Sequence, residues 1–304
     1  MKWILAVLAV SLSFVLFNCS SEEAKEAAVD ETVVALNGKS LTAQNCYSCH
    51  SPDAAHDNRV APPLFAVRKH YLKKFGSKEE FVAAVVDFVQ HPSADKAIMK
   101  GAVKKFGPMP AMQFDADQLQ VIATYLYETE FEHPHQGSDE EARSPLQQGK
   151  EYALATKSVL GKNLMGALNR LPTHGALDFC NTRAISISDS MSADQNVSIQ
   201  RVSDQNRNPD NKAEGPALAY ILKSKELLAA GKEILPELRD ENDKYIGYYP
   251  ILTNQMCLQC HGTPQKDIDE STLNKIAELY PDDKATGYGI NELRGIWVVE
   301  WDKN

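Results

Sequence analysis

Two five-residue segments of the sequence place cysteine and histidine at a spacing that suits metal chemistry. Residues 46–50 read CYSCH and residues 257–261 read CLQCH, so both have the pattern C-x-x-C-H. Two thiols at this spacing can add across the vinyl groups of haem, while the adjacent histidine binds the iron. The pattern predicts two covalently bound haem c groups, attached through Cys46, Cys49, Cys257 and Cys260, with His50 and His261 as iron ligands.

Cysteine pairs separated by two residues also occur in zinc sites and in thioredoxin-like redox proteins. A zinc site could combine the two pairs, but neither alternative gives a role to the histidine that directly follows each pair. The N-terminus also carries an export signal, which directs the chain to the compartment where haem c is attached. These observations favour haem over zinc.

The export signal occupies residues 1–18. Lys2 precedes an apolar run that ends at Phe17, which is shorter than the ~20 apolar residues of a membrane-spanning helix. The run and the following Cys19 resemble a bacterial lipoprotein signal, in which the cysteine is lipidated and becomes the mature N-terminus. The resemblance implies a lipid anchor at Cys19; an ordinary secretory signal with an incidental Cys19 is the alternative.

The rest of the chain is predicted to form two domains joined by polar segments. Small acidic residues at 19–36 predict a tether, and a polar segment with proline and glycine at 133–144 predicts a linker. We predict one domain over 37–132 and a second over 145–304, and 304 residues suffice for both. The net charge of −9 argues against nucleic acid as a partner.

Two helices are predicted in the first domain. Ser77, with Glu80 three residues later, forms a capping box that opens a helix extending through Val89. Asp115 caps a second helix, whose apolar residues recur at helical spacing. We expect the second helix to pack on the helix that leads into the first motif. The segment between the two helices is rich in glycine, proline and methionine and is predicted to be a loop.

Three further segments, together with the first motif, resemble the class I cytochromes c: residues 38–41, 61–64 and 107–110. The resemblance implies a small all-α fold with one haem. It also implies that Met109 is the second iron ligand and that the carbonyl of Pro62 orients His50. Met112 is the first alternative for this ligand, and Met99 is a more distant one.

The second domain is predicted to be α+β with a largely antiparallel sheet. Helical patterns cover residues 146–171, 177–183 and 216–230. Alternating or β-branched segments predict strands at 184–188, 197–202, 245–252 and 296–301.

The second motif lies near the end of its domain, which is unlike the order in class I cytochromes. Five segments resemble a bacterial family of PAS-like c-haem domains of unknown function: residues 179–184, 207–211, 257–262, 279–288 and 293–295. The resemblance implies that Cys180 is the distal ligand of the second iron. A lone buried cysteine is also a common core residue, and His174 is the alternative ligand. Arg183 and Arg207 either neutralise the haem propionates or the thiolate, or are ordinary surface or ion-pair residues.

Two haems with unlike ligands predict a dihaem c-type cytochrome that transfers electrons to and from other redox proteins of the cell envelope. The lipid anchor would hold it at the periplasmic face of the inner or outer membrane. A redox or gas sensor acting through the PAS-like domain is the alternative. A dihaem peroxidase is less favoured, because both halves of such enzymes usually resemble class I cytochromes. We expect an electron carrier rather than an enzyme.

Overall fold

The computed structural model describes residues 31–51, 59–112, 114–131 and 144–303. The first part of the chain forms helices α1 (Glu31–Asn45), α2 (Leu64–Lys74), α3 (Lys78–Gln90), α4 (Lys100–Phe106) and α5 (Ala116–Glu128). The second part contains helices α6 (Pro145–Leu168), α7 (Thr173–Gln195), α8 (Gly215–Ala229), α9 (Gln255–His261) and α10 (Glu270–Leu279). Its strands are β1 (Ser198–Val202), β2 (Glu237–Glu241), β3 (Lys244–Leu252) and β4 (Leu293–Asp302).

Helices α1, α2, α3 and α5 enclose one apolar core, to which Phe81, Ile122 and Leu126 contribute buried side chains. Helix α1 crosses α5 closely, because a Cβ atom at Gly38 would lie 2.5 Å from the Cβ of Tyr125. The predicted packing of the last helix on the helix before the first motif is therefore confirmed. Helix α1 begins inside the segment predicted as a tether, and α4 lies in the predicted loop.

Both predicted helix caps are confirmed. The hydroxyl of Ser77 accepts a hydrogen bond from the backbone N–H of Glu80 at 3.2 Å, at the start of α3. The carboxylate of Asp115 accepts one from the N–H of Gln118 at 2.9 Å, at the start of α5. Each contact satisfies a backbone donor that the first turn of a helix leaves without a partner.

The second part of the chain is a four-stranded antiparallel sheet with helices on both faces. The strand order is β1-β4-β3-β2, so the two longest strands lie at the centre. Alternate residues of β4 point to opposite faces. Trp297 and Trp301 pack with residues of α6 and α7 on one face, whereas Ile296 packs with α8 on the other. The α+β prediction for this domain is confirmed.

The strand predicted at 184–188 is wrong, because these residues lie in the middle of α7. Ile185 and Ile187 suggested the alternation of a strand. The buried residues are instead Ala184 and Ser188, which are four residues apart and share one face of a helix. The predicted helix at 177–183 is the central part of the same 23-residue helix.

No pattern in the sequence predicted β2, which is an edge strand with the sequence ELRDE. It forms a hairpin with β3 in which Glu241 pairs with Lys244 across two turn residues. Asn242, the first of these, has φ of 50°, a value that two-residue hairpin turns require. Charged residues are common on edge strands because they discourage pairing with another chain. Because both faces of β2 carry charged residues, its sequence lacks the alternation of apolar and polar residues by which strands are predicted.

Among the described residues, no helix is both long and apolar enough to cross a membrane.

Candidate cofactor-binding sites

The first motif directly follows α1 and bends the chain back in a tight turn. The backbone N–H groups of Cys49 and His50 donate to the carbonyl of Cys46 at 3.2 and 2.8 Å. The Nδ1 atom of His50 lies 2.6 Å from the carbonyl oxygen of Pro62. A carbonyl can only accept, so Nδ1 carries the proton and Nε2 keeps a lone pair for a metal. Pro62 thus makes the contact that the class I resemblance implied.

A large, mostly apolar cavity lies beside His50. It holds about 1330 Å³ of space between atoms, including the part open to solvent. Met109, Met112 and Met99 all line it together with His50. The fold therefore brings the predicted methionine ligand and both alternatives to the same cavity as the histidine.

The second motif is contained in the short helix α9. The side chain of Asn254 caps this helix by accepting from the N–H of Cys257 at 3.2 Å. Nδ1 of His261 lies 2.7 Å from the carbonyl oxygen of Ala285 and 3.3 Å from Nε of Arg294. The carbonyl needs a donor, so Nδ1 carries the proton and the arginine contact is electrostatic. His261 therefore presents Nε2 in the same way as His50.

Cys180 lies on α7, within electrostatic range of the motif residue Cys260. Burial raises the pKa of the Cys180 thiol, while Arg201 and Arg207 act in the opposite direction. His174 makes a different contact, because its Nδ1 lies 3.1 Å from the hydroxyl of Ser271 on α10. The fold thus brings Cys180 to the second motif and holds His174 against α10.

Arg207 is a buried ion-pair residue, which is one of the two roles considered for it. Its Nε and Nη2 atoms donate to the two carboxylate oxygens of Asp283 at 2.9 and 3.1 Å. Nη2 also donates to the carbonyl of Cys260 at 2.7 Å, so this pair supports the second motif directly. Arg183 is exposed.

Two further arginines of the second site were not identified from the sequence. Arg201 stacks on the Trp297 ring at 5.6 Å, and Arg294 stacks on the Tyr288 ring at 5.5 Å. Neither forms an ion pair with a carboxylate in the described part of the chain. Both act on His261, whose pKa lies well below its usual value because of burial first and these positive charges second. Arg201 could have been noticed in the sequence, because it places a positive charge within a predicted strand.

The sulfur atoms of both motifs lie in environments that suit neutral groups. Burial raises the pKa of Cys46 and of Cys260 to about 12. Thioethers are neutral, so they fit these positions, whereas the thiolates of a zinc site would lose their hydration there. Within the described ranges, no three side chains of His, Cys, Asp and Glu are grouped so that they could hold a metal ion.

The second site also contains polar groups that suit an acidic ligand. The hydroxyl of Tyr288 is buried and has no hydrogen-bond partner in the described structure. Its ring lies edge to face with that of His261, with centroids 6.4 Å apart. A carboxylate could accept from this hydroxyl and offset the charges of Arg201 and Arg294. The residues at both motifs therefore fit c-type haem, which has two propionates. Cys19 and the predicted signal lie outside the described residues.

The second part of the chain is thus an α+β domain that holds a C-x-x-C-H helix against buried arginines. The family model for Tll0287-like proteins matches residues 120–301, more than half of the chain. The chain belongs to the Tll0287-like family. Among solved structures, the cyanobacterial haem protein Tll0287 is similar, with 19% identity and a TM-score of 0.39, over 53% of this chain and 98% of that one. No curated protein matches the chain.

Proposed function

We propose that this protein is a dihaem c-type cytochrome that transfers electrons. The observation that carries the proposal is that both C-x-x-C-H motifs hold their histidine in the same way. His50 and His261 each place Nδ1 within 2.7 Å of a backbone carbonyl, which leaves Nε2 available for iron. Membership of the Tll0287-like family is consistent with haem binding, since Tll0287 is described as a haem protein.

In the first site, Cys46 and Cys49 would hold the haem covalently and His50 would bind its iron. Met109 is the proposed second ligand, with Met112 and Met99 beside it in the same cavity. A thioether sulfur is a neutral ligand and favours the reduced iron. The apolar lining excludes water, which limits the reorganisation that accompanies a change of charge.

In the second site, Cys257 and Cys260 would hold the haem, with His261 and Cys180 as the iron ligands. A thiolate ligand stabilises the oxidised iron and lowers the reduction potential. Arg201 lies within electrostatic range of Cys180 and would offset its negative charge. Arg294 would neutralise a propionate, and the hydroxyl of Tyr288, which has no hydrogen-bond partner in the described structure, would donate a hydrogen bond to it.

The haems supply reversible one-electron oxidation and reduction, and the protein sets the potential of each through its ligands and charges. We infer that the first haem has the higher potential and the second the lower. The chain would exchange electrons with other redox proteins of the cell envelope. A lipid on Cys19 would hold it at the periplasmic face of a membrane, because two acyl chains give stable anchoring.

The proposal is tested by removing each pair of cysteines in turn from the full chain, expressed with the haem-attachment machinery. The variants are Cys46→Ala with Cys49→Ala, and Cys257→Ala with Cys260→Ala. Each double variant should lose one of the two haem spectra. Its haem content per chain, measured by the absorption of the reduced pyridine complex, should fall by half. If neither pair of substitutions changes the haem content, the proposal is wrong.

A further inference from the structure

The first motif is in direct contact with the residue that caps α9, the helix that contains the second motif. Nδ2 of Asn254, the residue that caps α9, donates a hydrogen bond to the hydroxyl of Ser48. Ser48 lies between the two cysteines of the first motif, so this bond joins one attachment segment to the other. Met165 and Met256, both from the second domain, contribute to the lining of the cavity beside His50. The first site is therefore completed by the second domain.

A lysine lies at this contact. Lys157, on α6, is within electrostatic range of Cys49 in the first motif and of Cys257 in the second. Cys49 and Cys257 are also within range of each other. Lys157 is half-buried, and burial lowers the pKa of its ammonium. One cation is thus placed against an attachment cysteine of each site, where water screens its charge poorly.

We propose that Lys157 is an electrostatic residue shared by the two haem sites, so that its single positive charge raises the reduction potentials of both together. This inference rests on the proposed function, since it needs a haem on each motif. Reduction adds one electron to a site, and a nearby positive charge favours the form with the additional negative charge. A haem bound through Cys49 would be attached to a sulfur within electrostatic range of the Lys157 ammonium. The same holds for a haem bound through Cys257.

The contact between the domains also involves α6, the helix that carries Lys157. The Ser48–Asn254 hydrogen bond holds the first motif against α9. On α6, Gly161 lies one turn beyond Lys157, and a Cβ atom there would come within 3.4 Å of Val60 from the first domain. The helix that carries Lys157 therefore belongs to the second domain and touches the first.

The test is a potentiometric titration of the matured full chain and its Lys157→Met variant, followed by the optical spectra of both haems. Both midpoint potentials should fall, each by about 59 mV. For one electron, this shift corresponds to a tenfold change in the ratio of reduced to oxidised haem. Lys157→Arg keeps the charge and should keep both potentials. Lys162→Met removes an exposed lysine from the same helix and should leave both unchanged.

The outcomes separate the inference from the proposed function on which it rests. Two haems on every variant, with both potentials unmoved or only one moved in Lys157→Met, would overturn the inference alone. A fall in Lys157→Arg equal to that in Lys157→Met would also overturn it, because packing rather than charge would be responsible. If the Lys157→Met variant does not take up two haems, the Lys157→Gln variant is titrated instead, because it removes the same charge but keeps a polar side chain. A wild-type chain with fewer than two haems would overturn both proposals.

Discussion

His50 and His261 are held alike although they belong to unlike folds. Each is followed, 12 and 24 residues along the chain, by the carbonyl that accepts its Nδ1–H. The motifs themselves could be predicted from spacing, because covalent chemistry requires adjacent cysteines and histidine. Pro62 could be predicted only through the class I resemblance. Ala285 could not be predicted, because any residue has a carbonyl and only the folded chain selects one.

At the second site, Cys180 and His174 were the two candidate ligands, and their surroundings now predict different spectra. Cys180→Ala should alter the low-spin ferric signal of one haem in the electron paramagnetic resonance spectrum, because Cys180 lies near Cys260. His174→Ala is the matched control and should leave the signal unchanged, because its ring contacts Ser271 instead. The opposite pattern would assign the ligand to His174.

The Arg207–Asp283 pair should contribute strongly to stability because both side chains are buried, with 9% and 8% of their surfaces exposed. Arg207→Met would leave a buried carboxylate without its partner, and we expect the free energy of unfolding to fall by about 3–5 kcal/mol. The control is Lys212→Met, which removes the cation of an exposed pair with Glu214 and should lower the stability much less, because water screens that pair. Equal effects in chemical denaturation would contradict this prediction.

Asp269 should give the stability a dependence on pH. Hydrogen bonds from the hydroxyl of Ser271 and the N–H of Thr272 hold the pKa of this helix-capping carboxyl below its usual value. A lowered pKa stabilises the fold above the unfolded-state pKa, and this contribution disappears as the pH falls through the folded-state pKa. The free energy of unfolding of Asp269→Asn should therefore lie below that of wild type near pH 7 and approach it in acid.

Among the elements, helix α6 packs on the sheet of the second domain and also approaches Val60 of the first. It could be predicted from apolar periodicity, and its observed bounds are close to the prediction. Helix α7 was predicted too short, because its serines and isoleucines mimic strand alternation while the buried face repeats every four residues. Charged β2 was missed because edge strands carry polar residues on both faces. For α7 and β2, tertiary packing rather than local propensity determined the secondary structure.

Gly149 is the point at which α6 approaches the sheet most closely. A Cβ atom there would lie 2.1 Å from the hydroxyl of Tyr249 and 2.6 Å from the ring of Trp301. Gly149→Ala should lower the free energy of unfolding by about 1–3 kcal/mol, because the overpacked helix must shift and the Tyr249–Leu146 hydrogen bond of 3.0 Å is disturbed.

The matched control for Gly149→Ala is Gly166→Ala on the same helix. The nearest atom to a Cβ at Gly166 is the mobile end of Arg170, 3.6 Å away. Alanine should therefore be accommodated and should stabilise the helix by roughly 0.5–1 kcal/mol. A gain of stability of the same size in both variants would show that helix propensity, not the close approach, governs position 149.

At the scale of the whole molecule, the two motifs could be predicted individually but their contact could not. The composition of the linker at 133–144 carries no information about which faces of the domains meet. Asn254 and Ser48 are ordinary polar residues in the sequence, and their hydrogen bond follows only from the folded arrangement. Lys157 likewise gave no signal, since a lysine on a predicted helix is normally a solvated residue. The site between the domains is therefore a property of the tertiary structure.

The central claim is that both motifs carry covalently attached haem. It is tested most directly by the mass of the intact, matured chain after denaturation, which removes any cofactor that is not covalently bound. The expected mass is that of the processed polypeptide plus two haems. A mass that corresponds to the polypeptide alone, or to one haem, would contradict it.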